Sequence, residues 1–439
     1  MKALSVIISC YNQSTQVLTS INALSQQVKQ QAIDAEFIIC DDGSEPAQIH
    51  QLIASLQASN FPGTLISQKD KGFRLAASRN NGLRIASGKL IIFIDGDCIP
   101  EADFLAAHLR AHQQNAKTIG VGKRIYEPWD SLKHCEIALQ AAIRKTQVES
   151  YDIQTRTASN HPWEAVLGRN FSVTDLSAKI YFDERLLGWG MEDLDFAIAA
   201  YKLGWLDTLF IPEAIVTQKD GGQSENPLMS GSLENYVHAV CNVLLLLEKY
   251  KQDAAIYKRL HFYLYQFTYS SKIEANRLHF SQERLDFFYQ NSASLIPERL
   301  SELEAFQQQT KAQMQAVFEA NRAFRPHPYL QNPLPLRRSI ICQDIDLKSI
   351  DAYFIQINSH PVESEMICFS SQDPLSLFQS WTLKNLEAEP EVSPSNYLII
   401  YHFDPLLSLE DRRRDALALC RSESWVASSD LFSLDQSKL

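Results

Sequence analysis

No apolar run in this 439-residue chain approaches the roughly 20 residues needed to cross a bilayer. Val243 to Leu247, the greasiest stretch outside the strand-like segments, is far too short. No transmembrane helix is expected, and peripheral contact with a membrane stays open. Strand-like sequence begins by Leu4, so no signal peptide is expected. Basic residues are outnumbered, 41 Lys+Arg against 52 Asp+Glu, for a net charge of −11. A general nucleic-acid binder would show a basic face instead, although a nucleotide held through a metal remains compatible. The eight cysteines form no C-x-x-C pair, which removes the usual zinc and redox signatures. A reducing cytoplasm is the expected setting, with attachment to a membrane surface open. No G-x-G-x-x-G follows the first strand and no G-x-x-x-x-G-K-[ST] occurs. Dehydrogenases and P-loop enzymes are thereby set aside. There is no internal repeat.

What is present centres on KLIIFIDGDCIP, Lys89 to Pro100. The run Leu90 to Ile94 suits a strand covered on both faces, and it leads straight into Asp95 and Asp97. In open α/β sheets the ligand crevice lies outside the carboxyl ends of the strands. Two acidic side chains there can hold a hard divalent cation, and the cation can hold a diphosphate. Asp-x-Asp alone carries little weight, since it recurs at Asp193–Asp195 and Asp344–Asp346; its place after a strand is what matters.

Upstream, strands are expected at Ala3–Tyr11, Ala35–Ser44 and Gly63–Gln68. Helices should run from an N-cap at Ser14 to about Lys29, over Pro46–Ser59, and within Lys71–Ser87. This β-α-β-α order predicts a mainly parallel, Rossmann-like sheet. A further strand, LFIPEAIVTQ, closes the domain, and Lys219–Ser232 reads as a flexible boundary. The expected organisation is an α/β domain over 1–222, a helical region over 223–325 and a smaller α/β region over 326–439. Leu233 to about Arg325 has almost no glycine, and Arg325–Leu336, with four prolines, reads as a linker. SIICQ, YFIQI, EMICFS and NYLIIYHF look like strands, and LEDRRRDALALC like a helix.

SVIISCYN, AEFIICDDGS, GFRLAASRNNG, IIFIDGDCIP, LGRNF and LLGWGMEDLDF occur in that order over about residues 3–220. Together they resemble the family 2 glycosyltransferases of the GT-A fold. GFRLAASRN and GWGMED are most similar to bacterial chondroitin-type polymerases and the galactosyl and N-acetylgalactosaminyl transferases. The resemblance implies an inverting transferase that uses a nucleotide diphosphate sugar, with a uridine-linked hexose or N-acetylhexosamine expected. It implies a saccharide or peptide hydroxyl as acceptor, in polysaccharide or glycoconjugate synthesis. A catalytically silent nucleotide-sugar-binding module is the alternative.

Residue by residue, Ser9, Tyr11 and Asn12 follow the first strand, where a base and ribose could lie. The resemblance puts Ser9 at the uracil and makes Asp42, ahead of Asp41, the acceptor for its N3–H. Arg74 and Arg79 can reach a phosphate, because guanidinium suits phosphate oxygens. The resemblance implies that Asp97 coordinates a Mg²⁺ or Mn²⁺ ion directly and that Asp95 holds ribose or metal-bound water. Gly168 and Asn170 of LGRN would line the sugar, and Arg169 would restrict it or pair with the diphosphate. Trp189 can pack on a sugar face. Asp193 is the expected general base, with Glu192 on a sugar hydroxyl or as the alternative base. One departure stands out. Family members often place a metal-binding histidine on the strand after the acidic helix, where this chain has Thr217 and Gln218. Neither is a good transition-metal ligand.

Overall fold

The computed structural model describes residues 2–320 apart from 60–61, 114–116, 129, 131–132, 175–179, 206, 221–232, 275–276, 296 and 298. Beyond 320 it describes 338–343, 364–369, 373–379, 396–404, 406–421 and 425–427. The expected strand YFIQI, the proline-rich linker, the Asp344/Asp346 pair and most of the 219–232 boundary lie outside these residues.

Strands β1 (Leu4–Cys10), β2 (Ala35–Asp41), β3 (Gly63–Gln68) and β4 (Leu90–Asp95) pair in parallel in the order β3-β2-β1-β4. Their side chains alternate between two cores. Ile7, Ile91 and Phe93 enter one; Val6, Ile8, Ile92 and Ile94 enter the other. That double burial is why these strands read as unbroken apolar runs rather than as alternation. Helices α1 (Ser14–Gln31) and α2 (Pro46–Ala58) cover the second core, and α3 (Leu75–Ile85) packs on the first. Ser14 is the first residue of α1 rather than its cap. Its hydroxyl is drawn sideways to Gln48 (2.5 Å) and Gln51 (2.8 Å) of α2.

After β5 (Cys98–Pro100) come α4 (Phe104–Gln113), β6 (Thr118–Pro128), α5 (Glu136–Thr157), β7 (Asn170–Thr174), α6 (Glu192–Lys202) and β8 (Asp207–Asp220). They continue the sheet as β4-β7-β6-β8-β5, with antiparallel joins on both sides of β7 and at β5. Phe93 stacks on Phe171 at 4.5 Å, while Phe182 and Phe196 meet its edge at 5.5 and 6.1 Å. This aromatic knot fixes β4 and β7 against α6. Burying each ring contributes about 1.5–3 kcal/mol.

The helical region holds α7 (Leu233–Lys249), α8 (Ala254–Ser270), α9 (Gln282–Leu295) and α10 (Leu300–Ala320). It also holds a two-stranded ribbon, β9 (Ser271–Glu274) and β10 (Arg277–Phe280), inside the stretch expected to be wholly helical. SKIE and RLHF are short segments that antiparallel pairing claims over helical propensity. α7 is buried along most of its length in the first core.

β11 (Arg338–Gln343), β12 (Ser364–Phe369), β13 (Asn396–His402) and β14 (Trp425–Ala427) are parallel to one another in the order β14-β11-β12-β13. β13 then pairs antiparallel with β3, so twelve strands form one sheet among the described residues. Helix α11 (Leu409–Ala418) follows β13. Just beyond it, Arg421 donates to Glu184 (2.8 Å) and to Asn81 of α3 (2.6 Å).

Candidate active site

Arg79 is the hub. It sits on α3, is 1% exposed, and donates from Nη2 to Asp95 Oδ1 and from Nη1 to Glu192 Oε1, both at 3.0 Å. Expected at a phosphate, its guanidinium instead ties the end of β4 to the first residue of α6. Arg74, its companion, donates from its backbone N–H to Asp42 (2.6 Å) and from its side chain to Lys69 O.

Asp193 accepts from Gly168 N–H (2.9 Å) and Leu194 N–H (2.7 Å), which fixes the orientation of the carboxylate. Gly168 is required there, because a Cβ would lie 2.4 Å from the Arg79 guanidinium. Glu192 is buried, and its second oxygen, Oε2, has no partner among the described residues. Burial, with Asp193 alongside, pushes its carboxyl up to about 7. The third acid of the motif, Asp195, faces away. It is fully buried and accepts from Lys249 and Tyr250 at 2.8 Å each, locking α6 to α7 and its end.

The preceding loop is bent by three left-handed residues flanking Trp189: Gly188 (φ 69°), Gly190 (φ 90°) and Met191 (φ 79°). Met191 is not a glycine, so this conformation carries strain. Asn242 of α7 holds the loop in place, donating to Leu187 O and Gly190 O at 2.9 Å each. Trp189, Glu192, Asp193, Arg79, Asp95, Gly168 and Arg169 line one cavity of about 550 Å³.

Asn170 does not line it. It is 2% exposed within β7, donating to Ala214 O (2.9 Å) and Lys123 O (3.2 Å) and contacting His108 (3.0 Å). Its amide satisfies carbonyls between strands, so the sugar-lining role expected for it is corrected to a structural one.

Gln218 lies across the ladder from Cys98, beside Asp97. Its amide nitrogen donates to Asp97 Oδ2 (2.5 Å), and its amide oxygen accepts from Arg124. Arg124 also reaches Glu149 (2.7 Å), as do Arg169 and the Tyr126 hydroxyl (2.8 Å). Burial beside Arg169 lowers Arg124 to about 10, and burial beside Asp95 raises Asp97. Arg124, Glu149 and this chain of contacts leave no local signal in the sequence. Thr217, the other candidate for the missing histidine, bonds Glu101 at 2.6 Å.

At the ends of β1 and β2, Asp41 is fully buried and accepts from the Gly43 and Ser44 N–H groups and from the Ser44 and Ser67 hydroxyls. Asp42 accepts from Gln68 and the Arg74 N–H, and burial raises it to about 6. Asn12, with φ 55°, accepts from Glu45 N–H (2.8 Å) and its own N–H meets the Ser44 hydroxyl (2.7 Å). The buried Ser9 hydroxyl has no partner among the described residues, and Tyr11 is half exposed.

No three His, Cys, Asp or Glu side chains among the described residues converge to hold a metal. Arg79 holds one oxygen of Asp95; on Asp97, Gln218 holds Oδ2 and the Cys98 thiol, a weak donor, lies 3.7 Å from Oδ1. That donor set fits a hard ion such as magnesium, which keeps several waters and takes one or two carboxylates plus substrate phosphate.

Residues 5–163 match the family model described as Glycosyl transferase family 2. The chain is similar to an uncharacterised glycosyltransferase, YfnE, of Bacillus subtilis, at 29% identity covering 46% of this chain and 61% of that protein. It is similar to the chondroitin synthase of Escherichia coli at 26% identity, covering 46% of this chain and 32% of that one. Among solved structures, GalNAc-T7 with UDP, GalNAc and Mn²⁺ matches at a TM-score of 0.38 and 16% identity, covering 54% of this chain and 47% of that one. The chain thus spans less than two thirds of the length of these curated relatives. Residues 5–163, which include β1 to β4 and the Asp95/Asp97 pair, thus carry a Glycosyl transferase family 2 domain.

Proposed function

We propose that this protein transfers a hexose or N-acetylhexosamine, with inversion, from a uridine diphosphate sugar to an acceptor hydroxyl. One observation carries the reading. Glu192 and Asp193 open α6 in the same cavity as Asp95, and Glu192 keeps a buried oxygen without a partner. A polar ligand is what such an oxygen calls for, since leaving it unmet costs about 1–3 kcal/mol.

In this reading Asp193 is the general base, aimed by the Gly168 N–H. The acceptor oxygen bonds to the anomeric carbon, the bond from that carbon to the diphosphate breaks, and the hydroxyl proton passes to Asp193. Glu192 Oε2 takes a hydrogen bond from a sugar hydroxyl, and Trp189 offers a ring face to the sugar. Ser9 and Asp42 serve the base of the nucleotide. Arg79 acts through Asp95 and Glu192, holding both in place.

A divalent cation belongs in this account. Asp95, Asp97, Glu149, Glu192 and Asp193 outnumber Arg79, Arg124 and Arg169, so a diphosphate entering here needs added positive charge. Asp97 and Asp95 would hold the ion, and it would neutralise charge on the leaving diphosphate. Cys10, Cys40, Cys98, Cys135 and Cys241 carry no disulfide, which supports a reducing, cytoplasmic setting. Among the described residues no helix is long and apolar enough to cross a membrane.

The test is release of nucleotide from a panel of uridine diphosphate sugars, with magnesium or manganese, measured with and without saccharide acceptors. Turnover of one donor supports the reading. Tight nucleotide binding without turnover under any condition would favour the silent module.

A further inference from the structure

The cavity does not end at the catalytic acids. It runs on to α8, whose Arg259, Phe262, Tyr263, Gln266 and Phe267 line its far side. These positions recur at three and four residues, so one face of the helix turns toward the reaction centre. The nucleotide-end residues Ser9, Asn12, Asp41 and Asp42 do not border it. Its volume of about 550 Å³ exceeds what a single sugar ring fills, and it falls within the roughly 300–1,000 Å³ typical of ligand sites.

The polar groups on that side are built in. Glu164 is 5% exposed and is gripped by Arg259 through both carboxylate oxygens, Nη2 to Oε2 at 2.8 Å. The Arg259 guanidinium also lies over the Phe262 ring at 4.2 Å. The α8 wall therefore offers aromatic surface beside a fixed, paired charge. A pyranose has an apolar C–H face and a hydroxylated edge, and such a wall matches both.

We propose that the α8 face is the acceptor subsite and that it takes the terminal rings of a saccharide. The assignment rests on the transferase reading above, because it takes the near end of the cavity to hold the transferred sugar. It gives the helical region a substrate-binding role and chooses a saccharide over a peptide acceptor.

The experiment uses the full chain and two variants outside the catalytic machinery, Phe267→Ala and Gln266→Ala. Both positions are half-buried. Ligand-observed NMR would titrate a fixed panel of methyl glycosides and short oligosaccharides of glucose, galactose, N-acetylglucosamine and N-acetylgalactosamine, with an unstructured Ser/Thr peptide as comparison. Uridine diphosphate affinity and hydrolysis of the donor by water are read in parallel. The expected result is saccharide binding by the native chain that weakens about tenfold in Phe267→Ala, the scale of a lost aromatic contact. Gln266→Ala should show a smaller loss, with donor hydrolysis and nucleotide affinity unchanged in both. Should Phe267→Ala melt early, Gln266→Ala decides alone. Saccharide binding untouched by either variant, binding of the peptide alone, or no binding of any probe would overturn the proposal. Loss of nucleotide binding in the native chain would instead count against the transferase reading beneath it.

Discussion

Asp41 and Glu192 are both carboxylates taken out of water, and the fold treats them in opposite ways. Asp41, at the end of β2, has four donors: two backbone N–H groups of its own turn and the hydroxyls of Ser44 and Ser67. Glu192, at the start of α6, has Arg79 on one oxygen and nothing on the other. Burial raises both, but Asp41 is offset by hydroxyl and backbone bonds, while Asp193 alongside pushes Glu192 further. The Asp41 carboxylate is thus complete without a ligand, while Glu192, like the buried Ser9 hydroxyl, carries an unmet cost among the described residues. Groups left unmet in a stable fold point to where substrate completes the structure.

Breaking the reactive end should have the greatest effect. Asp193→Asn should cost about 10²–10⁴-fold in turnover, the range for a lost general base, with uridine diphosphate affinity little changed. Steady-state kinetics beside a nucleotide titration would check this. Arg79→Leu should destabilise the fold by about 3–5 kcal/mol, because Asp95 and the buried Glu192 lose their shared counter-charge; urea unfolding would measure it. Asn242→Ala leaves two loop carbonyls without a donor and should cost about 1–3 kcal/mol, with turnover falling more than nucleotide affinity.

Acidity sharpens the contrast. Glu192 is raised from an ordinary 4.5 to about 7 in the fold. Folding favours its protonated form, so its contribution to stability is full below about pH 4.5 and disappears as pH rises through about 7. Asp42, raised from 3.8 to about 6, acts in the same direction at lower pH. Glu192→Gln should flatten the upper part of this slope in thermal melts while lowering turnover. A melting curve with the same pH dependence as the native chain would remove Glu192 as its source. The mildest change is Gln218→His. It frees Asp97 from the Gln218 amide and restores a metal-ligand type at that position, so turnover should shift toward manganese over magnesium.

Much of this was legible in the sequence where the chemistry is local. β1 to β4, the Asp95/Asp97 placement after β4, and the Glu192/Asp193 placement at the start of α6 follow from apolar runs, turn residues and short motifs. Gln218 could be identified as the residue at the histidine position. Its meaning could not, because Arg124 is 94 residues away and Glu149 is reached only through it. Arg79 joins partners 16 and 113 residues distant, which no local pattern encodes. Asn170 belongs to the LGRN motif whose resemblance implies a sugar contact, but strand alternation turns it into the sheet. The β9–β10 ribbon leaves almost no periodic signal, because each of its strands is only four residues long. The antiparallel join of β13 to β3 is a long-range pairing between two ordinary-looking strands.

The most direct test of the account is calorimetric titration of uridine diphosphate into the native chain and Asp97→Asn, each with magnesium and with EDTA. The account predicts binding to the native chain with magnesium, weakened at least about tenfold, or 1.4 kcal/mol, by EDTA or by Asp97→Asn. Binding equally tight in all four titrations, or none in any, would contradict the placement of the diphosphate at Asp95 and Asp97.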